Sequence, residues 1–125
     1  MPTLKEHLRK AIHNEDFYSS FDLEKTPYLD WVVNGIFYSA LHYMGSYFAT
    51  QNQHPGDHLE RNRLIEVDPN LGRNFYISCY RDLKDDSEDA RYRMRTFIAK
   101  EIRQDIIPLL KSVKQFLNQY VKEIK

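Results

Sequence analysis

The sequence predicts an all-α fold, an up-and-down bundle of four to five helices making one domain over residues 1–125. Three observations carry that prediction. Apolar residues recur at three- and four-residue steps along most of the chain, the mark of helices that bury one stripe. Polarity nowhere alternates convincingly with period two. Only 4 glycines and 5 prolines are present, few for a β fold that turns every ten residues or so.

The elements follow in order. Thr3 and Glu6 have capping-box spacing ahead of Leu4, Leu8, Ala11 and Ile12. Phe17 and Phe21 prolong that stripe, so a first helix is predicted from about residue 3 into the low twenties. Pro27 begins the next segment. Over 28–50, one face carries Val33, Phe37, Ala40, Leu41, Met44 and Phe48, and an adjacent face Trp31, Gly35, Tyr38, His42, Gly45 and Ala49. A helix apolar on two faces is covered from two sides, and its small residues let a neighbour come close. This is the predicted central helix. Residues 51–56 read as a loop, because His54, Pro55 and Gly56 block helix continuation. Asp57 caps a third helix, with Glu60 at the capping-box position. Asp68 followed by Pro69 signals another start, and Leu71, Phe75, Cys79 and Leu83 mark the inner face of a fourth helix. Asp85 to Ser87 is predicted to break it, leaving a short helical piece over 87–95. The last helix, about 96–124, turns Ile98, Ile102, Leu109, Val113, Leu117, Tyr120 and Ile124 inward, with a kink at Pro108.

Composition narrows the function classes. The chain has 125 residues, with 18 basic and 18 acidic side chains and a net charge of zero at pH 7. That balance excludes a generic polycation that coats nucleic acid or anionic membrane by overall charge. Hydrophobic residues make up 42% and aromatics 14%, enough to build a core and too many for a disordered chain. The charge is split along the chain: residues 1–60 carry four bases against eight acids, and residues 61–125 fourteen against ten. One region can therefore meet an anion while the whole stays neutral. The single cysteine, Cys79, leaves no internal disulfide and no cysteine-built zinc site, as expected in a reducing compartment. The first residues lack the apolar stretch of a secretion signal, and no run reaches membrane-spanning length. A soluble, cytoplasmic protein without membrane association is expected.

Two clusters could carry chemistry. His58 and Arg61 lie three apart at a helix start and project from one side, with Arg63 beside them. A histidine next to a guanidinium can move a proton while the arginine steadies phosphate charge. Arg91, Tyr92 and Arg95 form the second cluster, cations around an aromatic that suit phosphate and base contacts. Asp85, Asp86, Glu88 and Asp89 lie just upstream and can neutralise them. His42 follows Tyr38 by one turn on the central helix, where a hydrogen-bonded core role is the plainer reading. His7 and His13 do not share a face, and His54 sits in the loop. No histidine or carboxylate spacing suits a metal, and neither a glycine-rich phosphate loop nor a nucleophile elbow is present. Cys79 falls on an apolar stripe and reads as a small core residue.

Asp30-Trp31 leading into Phe37, Tyr38, Ala40, Leu41, His42 and Tyr43 resembles the central helix of the HEPN superfamily. So does the following His58 and Arg61, and so does Tyr80-Arg81-Asp82-Leu83 running on to Ala90-Arg91-Tyr92; together the resemblance spans about residues 28 to 95. It implies a small helical bundle, often a homodimer. Many such domains are metal-independent endoribonucleases of toxin–antitoxin and defence systems. Some pair with small nucleotidyltransferases, and others bind nucleotides or RNA without cleaving. The ribonuclease members carry Arg, four to six residues, then His. This chain departs there: every histidine lies at or before His58, and Arg9 and His13 have only three residues between them. The inverted pair, His58 then Arg61, stands instead. The expectation is a domain that binds RNA or a nucleotide through His58, Arg61, Arg63, Arg91, Tyr92 and Arg95, with His42 and Tyr80 as further contacts and no metal or other cofactor. As an enzyme it would be a metal-independent endoribonuclease using His58 and Arg61. The alternative is a non-catalytic interaction module that uses its aromatic-rich helices.

Overall fold

The capping box at Thr3 is formed. Its hydroxyl accepts from the Glu6 N–H at 3.1 Å, and the Glu6 carboxylate accepts from the Thr3 N–H at 3.1 Å. It opens α1 (Leu4–Ser19). A computed structural model of residues 1–125 describes the backbone throughout and every side chain except those of Arg73, Tyr76 and Ile77. After α1 come α2 (Leu29–Ala49) and α3 (His58–Val67). Helix α4 covers 72–92, joining Gly72–Phe75 to Arg81–Tyr92 through a π-helical turn, Tyr76–Tyr80. Helix α5 covers 99–118, joining Ala99–Glu101 to Ile107–Asn118 through a second π turn, Ile102–Ile106. The described residues form no strand, so the fold is an all-α bundle.

Helix α2 is the centre. It packs against α1, α4 and α5, and from Val32 to Phe48 only Tyr38 and His42 are not buried. Phe37, Met44, Tyr47 and Phe48 are shielded almost completely. Each such side chain stabilises the fold by about 1.5–3 kcal/mol relative to exposure. Helix α1 runs antiparallel along α2. Phe17 and Tyr18 lie at Gly35, the Ala11 carbonyl accepts from the Ser39 hydroxyl, and His7 meets His42. That geometry corrects the expectation for Trp31, which is 54% exposed. Following the pairing back from Gly35 to Trp31 passes beyond Ser19, where α1 has ended, so α1 does not cover Trp31.

Two further expectations are corrected. Helix α4 does not break at 85–87 but continues to Tyr92. The polar run there is its outer face, and the one inward residue, Ser87, is fully buried and donates to the Asn34 Oδ1 of α2 at 2.8 Å. The inner stripe of α5 is Ile102, Ile106, Leu110, Val113 and Leu117, while Ile98 is 59% exposed and Tyr120 40%. The irregularity expected at Pro108 takes the form of the π turn before it. The Ile107 N–H bonds the Ile102 carbonyl, and Pro108, which has no N–H, enters the first turn of the next regular segment. Among the described residues, no helix is long and apolar enough to cross a membrane.

Candidate functional site

His58 owes its position to the start of α3. The Asp57 side chain accepts from the Glu60 N–H at 2.8 Å, and the Glu60 carboxylate reaches past the cap to accept from the Gly56 N–H at 3.1 Å. Fixed in this way, the His58 ring lies beside Phe37, with centroids 5.8 Å apart. One turn on, Arg61 Nη1 approaches His58 Nδ1 to 3.3 Å. The three-residue spacing therefore produces a direct contact.

A second histidine pair stands nearby. His7 Nδ1 and His42 Nδ1 are 3.2 Å apart, so one donates and the other accepts. Gly45 makes the pair possible. A Cβ there would fall 2.5 Å from both Cε1 and Nδ1 of His7, so only glycine leaves room for the ring. His7 joins His54 and Arg61 at the polar end of a cavity of about 290 Å³, whose apolar walls include Pro2, Leu41 and Pro55. Four of the five histidines thus gather around one arginine.

The electrostatics follow from burial first. Burial, then His7, Lys10 and Arg61, push the His42 imidazole down to about 4. Burial, then His54 and Arg61, lower His7. Burial, then Arg61, Arg91 and Lys84, lower His58, with Glu88 opposing. All three are neutral at pH 7. Among the described residues Arg61 makes no ion pair, so it is the fixed charge of the group.

This arrangement sets a pH dependence of stability. A histidine held neutral in the folded state binds fewer protons than in the unfolded chain, so stability is full above about 6.5 and declines as pH falls towards about 4. His42 is partly solvated, and its share is on the order of 1–2 kcal/mol, below the full linkage value. Urea titrations across that window should show a shallower decline for His42→Gln than for the parent. Parallel curves would remove His42 as the cause.

On α4, Arg91 is held from below. Its Nη1 lies 2.5 Å from the Ser87 hydroxyl, which donates in turn to Asn34. The guanidinium sits 5.5 Å from the Tyr38 ring and 5.1 Å from the ring of Tyr92, itself 78% exposed. Arg91 makes no ion pair among the described residues. His58 is within electrostatic reach of both Arg61 and Arg91, so the two clusters share a histidine.

The other predicted residues sit elsewhere. Arg95 is gripped by Asp86 at 2.7 Å, Asp89 at 3.0 Å and Glu101 at 2.5 Å, so its charge is compensated. Arg63 is exposed on α3. Tyr80 is wholly buried, its ring 5.8 Å from Phe37. Burial pushes the Cys79 thiol up to about 11, so it is no nucleophile at neutral pH. No group of three metal-ligating side chains converges among the described residues. His7 and His54 were not singled out by the sequence. The one local trace of the His7–His42 pair is Gly45, a glycine three positions after His42 on the same predicted face. Compared with protein-family models, curated proteins and solved structures, the chain matches none.

Proposed function

We propose that the domain binds RNA or a nucleotide through a basic strip centred on His58, with Arg61 on one side and Arg91 on the other. One observation carries the reading: Arg61 of α3 contacts His58, Arg91 of α4 lies within electrostatic reach of the same ring, as do Lys84 and the opposing Glu88, and neither arginine has a carboxylate partner among the described residues. Exposed Tyr92, whose ring lies at Arg91, extends the strip and offers base stacking, whereas Arg63, two positions beyond Arg61, lies on another face of α3. Arg95, already matched by three carboxylates, plays a lesser part. The likeness to HEPN domains in the central-helix and Tyr80–Tyr92 phrases supports the same reading. It extends the proposal to a cytoplasmic homodimer working in a toxin–antitoxin or defence setting, with a small nucleotidyltransferase as companion. The chemistry available at the strip is metal-independent RNA cleavage. Neutral His58 takes the 2′-hydroxyl proton, the 2′-oxygen bonds to phosphorus to leave a 2′,3′-cyclic phosphate end, the displaced 5′-oxygen takes a proton from water, and Arg61 stabilises the charge on the phosphoryl oxygens.

The test is binding of a single-stranded RNA oligonucleotide with hydroxyl ends, measured by fluorescence anisotropy across a salt series. Arg61→Ala with Arg91→Ala should weaken binding and reduce the slope of log K against log salt by about 1.4, two phosphate contacts on a single strand. Unchanged affinity in a variant with a native circular dichroism spectrum would sink the reading. Cleavage in EDTA by the parent and not by His58→Ala would place the chemistry at that residue. A second reading, a protein-interaction module, draws on the exposure of Tyr28 (55%), Trp31 (54%) and Met94 (103%). It predicts complexes that barely respond to salt.

A further inference from the structure

We propose that the cavity bounded by His7, His54 and Arg61 is a binding site for a phosphomonoester dianion, the terminal phosphate of a nucleotide or strand, as distinct from a phosphodiester within one. This rests on the nucleotide reading above and deepens it by naming the group recognised.

The donors come from three separate elements: His7 from α1, His54 from the loop before α3, and Arg61 from α3. Among the described residues no carboxylate lines the cavity, and Arg61, whose one partner there is His58, keeps most of its guanidinium N–H groups for a ligand. His54 lines the cavity, and its Nδ1 is shielded from solvent with no hydrogen-bond partner among the described residues. A shielded ring nitrogen left unsatisfied costs free energy, which a turn of the ring to meet a ligand oxygen would recover. His7 has its Nδ1 engaged by His42, which leaves Nε2 as its other ring nitrogen. An anion in the cavity selects the tautomer in which His42 donates, His7 accepts at Nδ1, and His7 Nε2–H points to the ligand.

Three residues from three elements can meet three terminal oxygens. A phosphomonoester offers three and a phosphodiester two. A carboxylate also offers two, in one plane. A metal cation placed here would meet the charge of Arg61. The apolar walls lower the local polarity and strengthen each charge-assisted bond. The volume, about 290 Å³, lies at the small end of ligand cavities and suits a phosphate with one attached group. Around His7 stand His42 from α2, His54 from the loop, Arg61 from α3 and Glu6 from α1, of which Glu6 alone is acidic. An incoming dianion therefore draws a proton onto His7.

Isothermal titration with inorganic phosphate, adenosine 5′-monophosphate and adenosine tests the site. Phosphate and the monophosphate should bind one per chain and adenosine should not. Repeating the titration in two buffers of different ionisation enthalpy should reveal proton uptake. Arg61→Gln should weaken phosphate about tenfold or more, and His54→Gln more mildly. Undiminished binding in both variants overturns the site, and the second variant covers misfolding of the first. RNA oligonucleotides bearing a 5′-phosphate, a 3′-phosphate or hydroxyl ends separate the two proposals. Tighter binding of either phosphorylated strand supports the terminal-phosphate site. Equal binding of all three strands, with no binding of phosphate, overturns it and leaves the RNA reading intact. Phosphate bound without RNA upholds the site and removes the RNA reading.

Discussion

Asp68→Ala is expected to lower the stability of the domain by about 2–4 kcal/mol, seen as a lower urea midpoint at unchanged slope. Asp68 is only 7% exposed, and its Oδ1 accepts three hydrogen bonds. They come from the Tyr47 hydroxyl at 2.8 Å, the Asn70 N–H at 2.8 Å and the Leu71 N–H at 3.0 Å. The residue thus caps the entry to α4 and ties that entry to the middle of α2. Without it the Tyr47 oxygen still accepts from Gln51 at 3.0 Å and Asn70 at 3.1 Å, but its proton has no acceptor. That proton stays on the oxygen, because burial raises the Tyr47 hydroxyl above its ordinary range. The loss combines a removed cap with a buried donor left unsatisfied. Asp68→Asn keeps an acceptor oxygen and should cost about 1 kcal/mol. An alanine variant no worse than the asparagine variant would show that Oδ1 does not organise this corner.

Gly45→Ala is the second large expectation, and its sign runs against helix propensity. In an exposed helix interior the change would stabilise by about 1 kcal/mol. Here the added methyl would lie 2.5 Å from the His7 ring, and the substitution should cost about 1–3 kcal/mol by overpacking. It should also part His7 from His42, so that the two imidazoles titrate independently by NMR. The control is the same change made in His7→Ala, where the space is free and Gly45→Ala should be neutral or stabilising. A cycle with no coupling between positions 7 and 45 would deny that the glycine exists for the histidine. Gly35 is a milder case: a Cβ there meets Phe17 and Tyr18 carbons at 3.1 Å, a contact that small shifts can relieve.

What could be read from the chain, and what could not, divides by distance along it. The caps at Thr3, Asp57 and Asp68 were legible because each acts within three residues. The His58–Arg61 contact was legible for the same reason. The inner faces of α2 and α4 were legible because a buried stripe repeats with the helical period. Trp31 was misplaced because its exposure depends on where a different helix stops. Asp85 to Ser87 looked like a break because the partner that satisfies Ser87, Asn34, lies 53 positions earlier. The α5 stripe was read with Leu109 because spacing alone does not reveal the wide turn before Pro108. The histidine cavity was the least visible feature of all: His7 and His42 are 35 residues apart, and no spacing rule brings them together.

Glu15 ties the two ends of the chain into one cooperative unit. Its carboxylate accepts from the Tyr43 hydroxyl on α2 and, at 3.0 Å, pairs with Lys114 on α5, 99 positions away. The Lys114 ammonium also lies 5.2 Å from the Tyr43 ring, so all three groups rely on one another. Closing so long a loop carries an entropic cost that grows slowly with length. Lifting α5 away would leave a half-buried carboxylate without its cation, and peeling back α1 would leave the cation without its carboxylate. Fraying that begins at one terminus is therefore opposed by contacts belonging to the other.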